Sequence, residues 1–222
     1  MESERYYGLG MKLFKNFITF EGIDFSGKST QTKIIAEKLQ ALGLNVKLLR
    51  EPGGAVISEK IREIILDNAH QELHPRTEIL LYSAARAQIV HEKILPLLEA
   101  GDYLMLDRFY DSTTVYQGYG RKLDIHFVEA LNKFATSGLA PYKTFFIDIS
   151  PEEALRRRKA ADRHSDRLDN ENAEFYQTVW KAYQNLLHQF PNRYIVIPGD
   201  ETIENISTFI LHKIIEIWKL PL

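Results

Sequence analysis

The chain contains no cysteine. That absence excludes disulfide staples, zinc–thiolate centres and cysteine nucleophiles, and it suits a reducing compartment. No apolar run reaches the roughly 18 residues that a membrane-spanning helix requires. Nor does one sign of charge dominate: 28 basic residues stand against 30 acidic ones, a formal net charge of −2. A sequence-independent grip on nucleic acid or on an anionic membrane is therefore not expected. Residues 1–15 carry Glu2, Glu4, Arg5, Lys12 and Lys15 and lack the apolar core of a secretory signal, so a flexible N-terminal extension is expected there. The 222 residues, of which 45% are hydrophobic, suit one α/β domain over 16–222 with a sizeable core. The expected protein is soluble and cytoplasmic.

What is present is organised around residues 16–30. A β-prone run, Phe17 to Glu21, leads straight into Gly22, and four residues later comes Gly27-Lys28-Ser29. Ile34, Ile35, Leu39 and Leu42 then recur at helical spacing. The pattern G-x-x-x-x-G-K-[ST] carries meaning in this context, after a strand and before a helix. Glycines let successive N–H groups turn inward into an anion nest at the helix N-terminus. Lys28 would reach the β- and γ-phosphates, and the Ser29 hydroxyl would ligate Mg²⁺. The expected cradle is Gly22, Ile23, Asp24, Phe25, Ser26, Gly27, Lys28, Ser29 and Thr30, and its ligand is a nucleoside polyphosphate.

Four more short apolar runs follow: Leu44 to Leu49, Tyr103 to Leu106, Thr144 to Ile149 and Tyr194 to Ile197. Helical stretches alternate with them, one of them running from about Glu78 to Leu98 and broken or ended near Pro96. The alternation predicts a P-loop three-layer α/β sandwich: a five-stranded, mostly parallel sheet with helices on both faces and a small lid. The second strand runs into Arg50-Glu51-Pro52-Gly53-Gly54, a turn where open α/β sheets bind ligands. The third ends in Asp107-Arg108, placing a carboxylate near a metal or its waters. The stretch from Asp111 to Arg121, rich in Ser, Thr, Gly, Tyr and Gln, reads as a binding loop. Ser150 and Pro151 are a ready cap and first residue for the next helix. That helix leads into the most basic stretch, Arg156 to Arg167, with three readings: a nucleic-acid patch, a solvated helix face or a lid over the nucleotide.

A regulatory GTPase would need Asn-Lys-x-Asp, but Asn132-Lys133 is followed by Phe134 and Ala135. The segments Phe20-Glu-Gly-Ile-Asp-Phe-Ser-Gly-Lys-Ser-Thr30, Leu49-Arg-Glu-Pro-Gly-Gly54, Leu106-Asp-Arg-Phe109, Asp111-Ser-Thr-Thr-Val-Tyr-Gln-Gly118 and Asp166-Arg-Leu-Asp169 resemble thymidylate kinase of the bacterial type. They fall in the family's order and cover nearly all of the chain after residue 15. The resemblance implies transfer of the ATP γ-phosphoryl group to dTMP, with Mg²⁺, in a homodimer.

Residue by residue, it implies that Arg62 and Arg108 clamp the dTMP phosphate, with Glu51 in the same loop. Tyr82 stands where the family usually has a Phe stacked on thymine. Arg86, one helical turn on, would bond the base edge, and Thr113 and Gln117 would complete base recognition. Asp24 is matched to the sugar hydroxyl or the metal shell, and Asp107, with Ser29, to the metal. Lys28, Arg108, Asp24 and a lid arginine make up the implied catalytic set. In one version of the family that arginine lies inside the phosphate loop. Positions 23 to 26 here are Ile, Asp, Phe and Ser, so the lid (about 156–169) is expected to supply it, from Arg163 first and Arg158 second. The alternatives that remain are another nucleoside monophosphate or deoxynucleoside kinase, and a P-loop switch or binding protein without turnover.

Overall fold

The alternation of β-prone runs and helices resolves, in a computed structural model describing residues 12–161 and 166–220, into a five-stranded sheet. The strands are β1 (Lys12–Glu21), β2 (Val46–Arg50), β3 (Tyr103–Asp107), β4 (Leu139–Asp148) and β5 (Tyr194–Pro198). Their order is β2-β3-β1-β4-β5, and every pairing is parallel. Strand β1 begins at Lys12, paired with Leu139, so residues 12–15 belong to the sheet rather than to a flexible extension. Trp218 Nε1 also donates to the Lys15 carbonyl at 3.0 Å. The earlier residues of the expected extension lie outside those described.

Nine α-helices cover the described sheet: α1 (Lys28–Ala41), α2 (Val56–Leu66), α3 (Pro75–Ile89), α4 (Leu95–Glu99), α5 (Tyr110–Thr113), α6 (Ile125–Ala135), α7 (Pro151–Ala160), α8 (Ala173–Gln189) and α9 (Ile203–Trp218). The pleat sends successive strand residues to opposite faces. Ile18, Phe20, Met105, Phe145 and Ile147 meet Ile35 and Leu39 of α1 and Ile206, Ile210 and Ile214 of α9. On the other face Phe17, Leu104 and Leu106 meet Ile89, Ile94 and Leu98, while Phe146 meets Val179 and Tyr183 of α8. From Phe17 to Glu21 both faces of the central strand are buried, so apolar residues there do not simply alternate with polar ones.

Two stretches depart from a simple helix or loop. Near Pro96 the α-helix is interrupted rather than stopped: a π-helical turn, Val90–Ile94, joins α3 to α4, with Pro96 in the first turn of α4, which ends at Glu99. The wider turn accommodates a residue that has no N–H and crowds the carbonyl four residues earlier. The expected loop 111–121 is mostly helical, with α5 running into a second π-helical segment, Thr114–Gly120. Tertiary packing overrides its turn-like composition there. A Cβ on Gly120 would meet the Phe175 ring at 2.7 Å, and one on Gly118 would meet Ile125 Cδ1 at 2.9 Å.

Candidate active site

The strand-to-helix turn after β1 has the strained geometry that its glycines permit. Gly22 has φ 145°, and a Cβ there would lie 2.6 Å from the Ile147 carbonyl oxygen. Gly27, at φ 98°, precedes the first helical residue Lys28 and has no side chain to cap α1. The first-turn N–H groups of α1 are thus left for an anion. Phe25 takes a left-handed φ of 65°, a conformation that costs a bulky residue energy and places it at the turn's apex. Lys28 Nζ folds back to donate to the Ile23 carbonyl at 2.8 Å and to Ser26 Oγ at 3.4 Å. Burial, and then the Arg108 guanidinium, pull its pKa down to about 8, with Asp24 and Asp107 opposing. Ser29 Oγ donates to Asp107 Oδ2 at 2.5 Å, while Asp107 Oδ1 is buried without a hydrogen-bond partner.

At the end of β3 the chain turns sharply, and Arg108 has φ 68°. The turn is held by its own N–H on the Phe20 carbonyl at 3.0 Å and by Phe109 N–H on Glu21 Oε1 at 2.8 Å. Arg108 donates through Nη2 to Asp24 Oδ1 at 2.5 Å and through Nη1 to the Gly22 carbonyl at 3.1 Å. Tyr116 O–H reaches Asp24 Oδ2 at 2.8 Å, and its ring lies 5.3 Å from the guanidinium. Burial works against the charge on Arg108, but the Asp24 carboxylate prevails and holds its pKa well above the ordinary value.

Beyond this pair opens a pocket. Asp24, Glu51, Arg62, Tyr82, Arg86, Arg108, Thr113 and Gln117 all line it, drawn together from the phosphate loop, the β2–α2 turn, α2, α3, the β3–α5 turn, α5 and the second π-helical segment. Arg86 Nε donates to Glu51 Oε2 at 2.7 Å, and its Nη1 to Thr113 Oγ1 at 2.9 Å and Asn132 Oδ1 at 3.3 Å. Burial pushes the Glu51 pKa up to about 7 against the pull of Arg86, and Glu51 Oε1 is buried without a partner. Arg62 Nη1 rests on the Pro52 carbonyl at 2.9 Å.

Arg158 does not reach the phosphate loop. It donates to the carbonyls of Asp169 and Glu171 and lies over the Tyr176 ring. Arg163 lies outside the described residues, as does part of the stretch assigned to the lid. The α7 arginine that meets the loop is Arg157, on the Ser26 carbonyl at 3.4 Å and the Gly199 carbonyl at 2.7 Å. Its pairing with Glu153, one turn earlier, was a legible signal. The reading also passed over Tyr116, Asp166 and Leu168, which line the pocket, although the quoted segments contain them. Glu78 was missed too, though it lies one turn before Tyr82 on the same helical stripe.

The arrangement joins a phosphate cradle to a second pocket that carries arginines, an aromatic ring and amide and hydroxyl groups. A family model described as thymidylate kinase matches residues 20–210. The thymidylate kinase of Thermoanaerobacter sp. (strain X514) is 46% identical over 195 residues, 88% of this chain and 95% of that protein. That of Caldanaerobacter subterraneus subsp. tengcongensis is 45% identical over 203 residues, 91% of this chain and 96% of the relative. A crystal structure of thymidylate kinase from Ehrlichia chaffeensis superposes with a TM-score of 0.70 at 32% identity, covering 91% of this chain and 97% of that one. On the family model and these relatives, the chain belongs to the thymidylate kinase family.

Proposed function

We propose that this enzyme transfers the γ-phosphoryl group of ATP to dTMP, giving dTDP and ADP, in the cytoplasm. The observation that carries the reading is the shared wall between the cradle and the pocket. Asp24 belongs to the phosphate loop, yet its carboxylate holds Arg108, and both line the acceptor pocket. Two anions bound on either side of that wall would lie close enough for direct transfer.

The acceptor is a phosphate monoester whose second pKa is about 6, so it is largely a dianion near neutrality and needs no strong general base. The protein's task is to hold two anions in line and neutralise charge on the transferring group. Lys28 serves the β- and γ-phosphates. Arg108 and Arg62 grip the acceptor phosphate, a task suited to planar guanidinium groups. Glu51 anchors Arg86 from the turn that follows β2. Tyr82 offers its ring to the base, and Arg86, Thr113 and Gln117 read the base edge. Asp24 serves the sugar hydroxyl or the metal shell as well as Arg108. The lid arginine is Arg163, with Arg157 as the described arginine already at the loop.

Asp107 and Ser29 fit a Mg²⁺ ion. A buried carboxylate oxygen without a partner, beside a hydroxyl, is the donor set expected where phosphates and water complete the shell. Among the described residues no group of three or more His, Asp or Glu side chains is placed to hold a metal ion by itself. When bound, the ion neutralises charge on the β- and γ-phosphates.

A homodimer is part of the proposal. Val56 and Ile57 of α2, Leu80 of α3, and Phe127 and Phe134 of α6 are exposed on helices in mutual contact through α3, and large apolar side chains so placed support the reading.

Coupled detection of ADP with ATP and dTMP, dUMP, dCMP, dGMP or AMP in turn tests the activity. dTMP is the expected preferred acceptor. dUMP, lacking one methyl, is expected to be roughly 10–200-fold poorer in kcat/KM. ADP release indifferent to every monophosphate would defeat the kinase reading. Arg163→Ala should lower kcat by about 10³-fold with little change in the KM for dTMP. Near-normal turnover in that variant would remove Arg163 from the catalytic set.

A further inference from the structure

Glu78, Tyr82 and Arg86 recur every fourth residue of α3 and so share one stripe of the helix. Tyr82 and Arg86 line the acceptor pocket, whereas Glu78 stands behind it, fully buried. Three segments converge on its carboxylate. Gln117 Nε2 donates to Oε1 at 2.8 Å, Arg121 donates to both oxygens at 3.1 and 3.3 Å, and Arg167 Nη2 donates to Oε2 at 2.5 Å. Burial alone would favour the protonated acid. Arg121, together with the hydrogen bonds from Gln117 and Arg167, overcomes it and holds the Glu78 pKa below the ordinary carboxylate value.

An ionised carboxylate can only accept hydrogen bonds. The Gln117 side chain must therefore turn its NH₂ toward Glu78. Its carbonyl oxygen, with no hydrogen-bond partner among the described residues, is the group left for the pocket that Gln117 lines. Arg86 is fixed in the opposite sense. Glu51 takes its Nε and Thr113 and Asn132 take its Nη1, so Nη2 is the donor left over. The residues that line the pocket thus include a donor from Arg86 and an acceptor from Gln117.

We infer that Glu78 is a positioning residue for base selectivity: by fixing the Gln117 amide, it makes the pocket accept pyrimidines that present a carbonyl beside a ring N–H and reject those that present an amino group beside a bare ring nitrogen. Thymine, with O4 and N3–H, has the first pattern, and cytosine has the second. The inference rests on the proposed dTMP activity. Reversal of the amide would set the Gln117 NH₂ against the thymine N3–H and leave both donors unpaired, the condition under which polar sites discriminate strongly.

The test is the ratio of kcat/KM for dTMP to that for dCMP. Destabilisation alone lowers both values together, whereas reversal of the amide moves the ratio. Glu78→Gln keeps the shape but allows either amide orientation at position 117. Glu78→Asp keeps the charge for Arg121 and Arg167 and withdraws the carboxylate from Gln117, so it serves if the first variant does not fold. Each is expected to lower the ratio by at least about tenfold. In a Gln117→Met background, the same Glu78 substitutions should leave the ratio unchanged. A folded Glu78 variant with the wild-type ratio would overturn the inference, as would an equal fall in the Gln117→Met background. Failure of the wild-type enzyme to phosphorylate dTMP would instead overturn the activity on which the inference rests.

Discussion

A carboxyl group 5% exposed, with one oxygen on Arg86 and the other without a partner, is held in the fold at some cost to its charge. Glu51 is that group, and the sign of its effect on stability follows directly. Its pKa is raised from 4.5 to about 7 by burial, more than Arg86 lowers it. Between those values the folded chain keeps a proton that the unfolded chain has lost. Stability contributed by Glu51 is therefore full below pH 4.5 and falls as the pH rises through 7. At 1.36 kcal/mol per pKa unit, the loss is about 3 kcal/mol. Urea unfolding of the wild type and of Glu51→Gln at intervals from pH 4.5 to 8 checks this. The variant should gain on the wild type across that range, and a constant difference would show that Arg86 keeps Glu51 ionised throughout. The sequence made Glu51 legible as a pocket residue because it stands in a specific motif. Its pairing with Arg86 was not legible, because the two lie 35 positions apart with the whole of α2 between them. Glu78 was closer to hand. Spacing alone put it on the stripe of Tyr82 and Arg86, but a glutamate in the first turn of a helix has an ordinary explanation in the helix dipole.

At the scale of elements, strands and helices followed from apolar period and capping. The Ser150 hydroxyl accepts from the Glu153 N–H at 3.1 Å, and Pro151 opens α7 as expected. The two π-helical segments did not follow, since neither apolar period nor capping encodes a local widening of a helix. One accommodates Pro96, and the other brings Gln117 to the pocket while Phe175 closes on Gly120. A further long-range tie holds the short helix α5, which is too brief to be stable alone. Arg193, just before β5, donates to both Asp111 oxygens at 2.8 and 2.9 Å, beneath the rings of Tyr110, Phe190 and Tyr194. Arg193→Met keeps much of the packing but leaves a buried carboxylate unpaired. A loss of about 3–5 kcal/mol is expected, read as a lower urea midpoint. A loss below about 1 kcal/mol would mean that Asp111 finds water or another donor. The variant should also bind dTMP more weakly, because α5 carries Thr113 into the pocket.

At the scale of the whole molecule, alternating strands and helices were enough to anticipate a parallel sheet, because parallel neighbours need crossovers long enough to hold a helix. The strand order could not be read from local pattern, since nothing in a short β-prone run names its neighbours. It is nonetheless what puts the ends of β1 and β3 side by side, and so Asp24 beside Arg108. The outer surface of α2, α3 and α6 poses the remaining question. Phe134 is 80% exposed, Val56 72% and Leu80 53%, large apolar side chains on helices that pack together through α3. The α2 and α3 helices also carry Arg62, Tyr82 and Arg86 into the pocket. A second copy seated on their outer faces would therefore stiffen the acceptor site from behind. Sedimentation velocity should give a dimer for the wild type and a monomer for Leu80→Glu/Phe134→Glu, since a charge on each helix cannot be buried without a partner. The monomeric variant should keep its fold and show a raised KM for dTMP, with the KM for ATP less affected, because the phosphate loop is built on β1 and α1. A double variant that stayed dimeric would move the interface to another face. A monomer with unaltered dTMP binding would show that each subunit holds its acceptor pocket unaided.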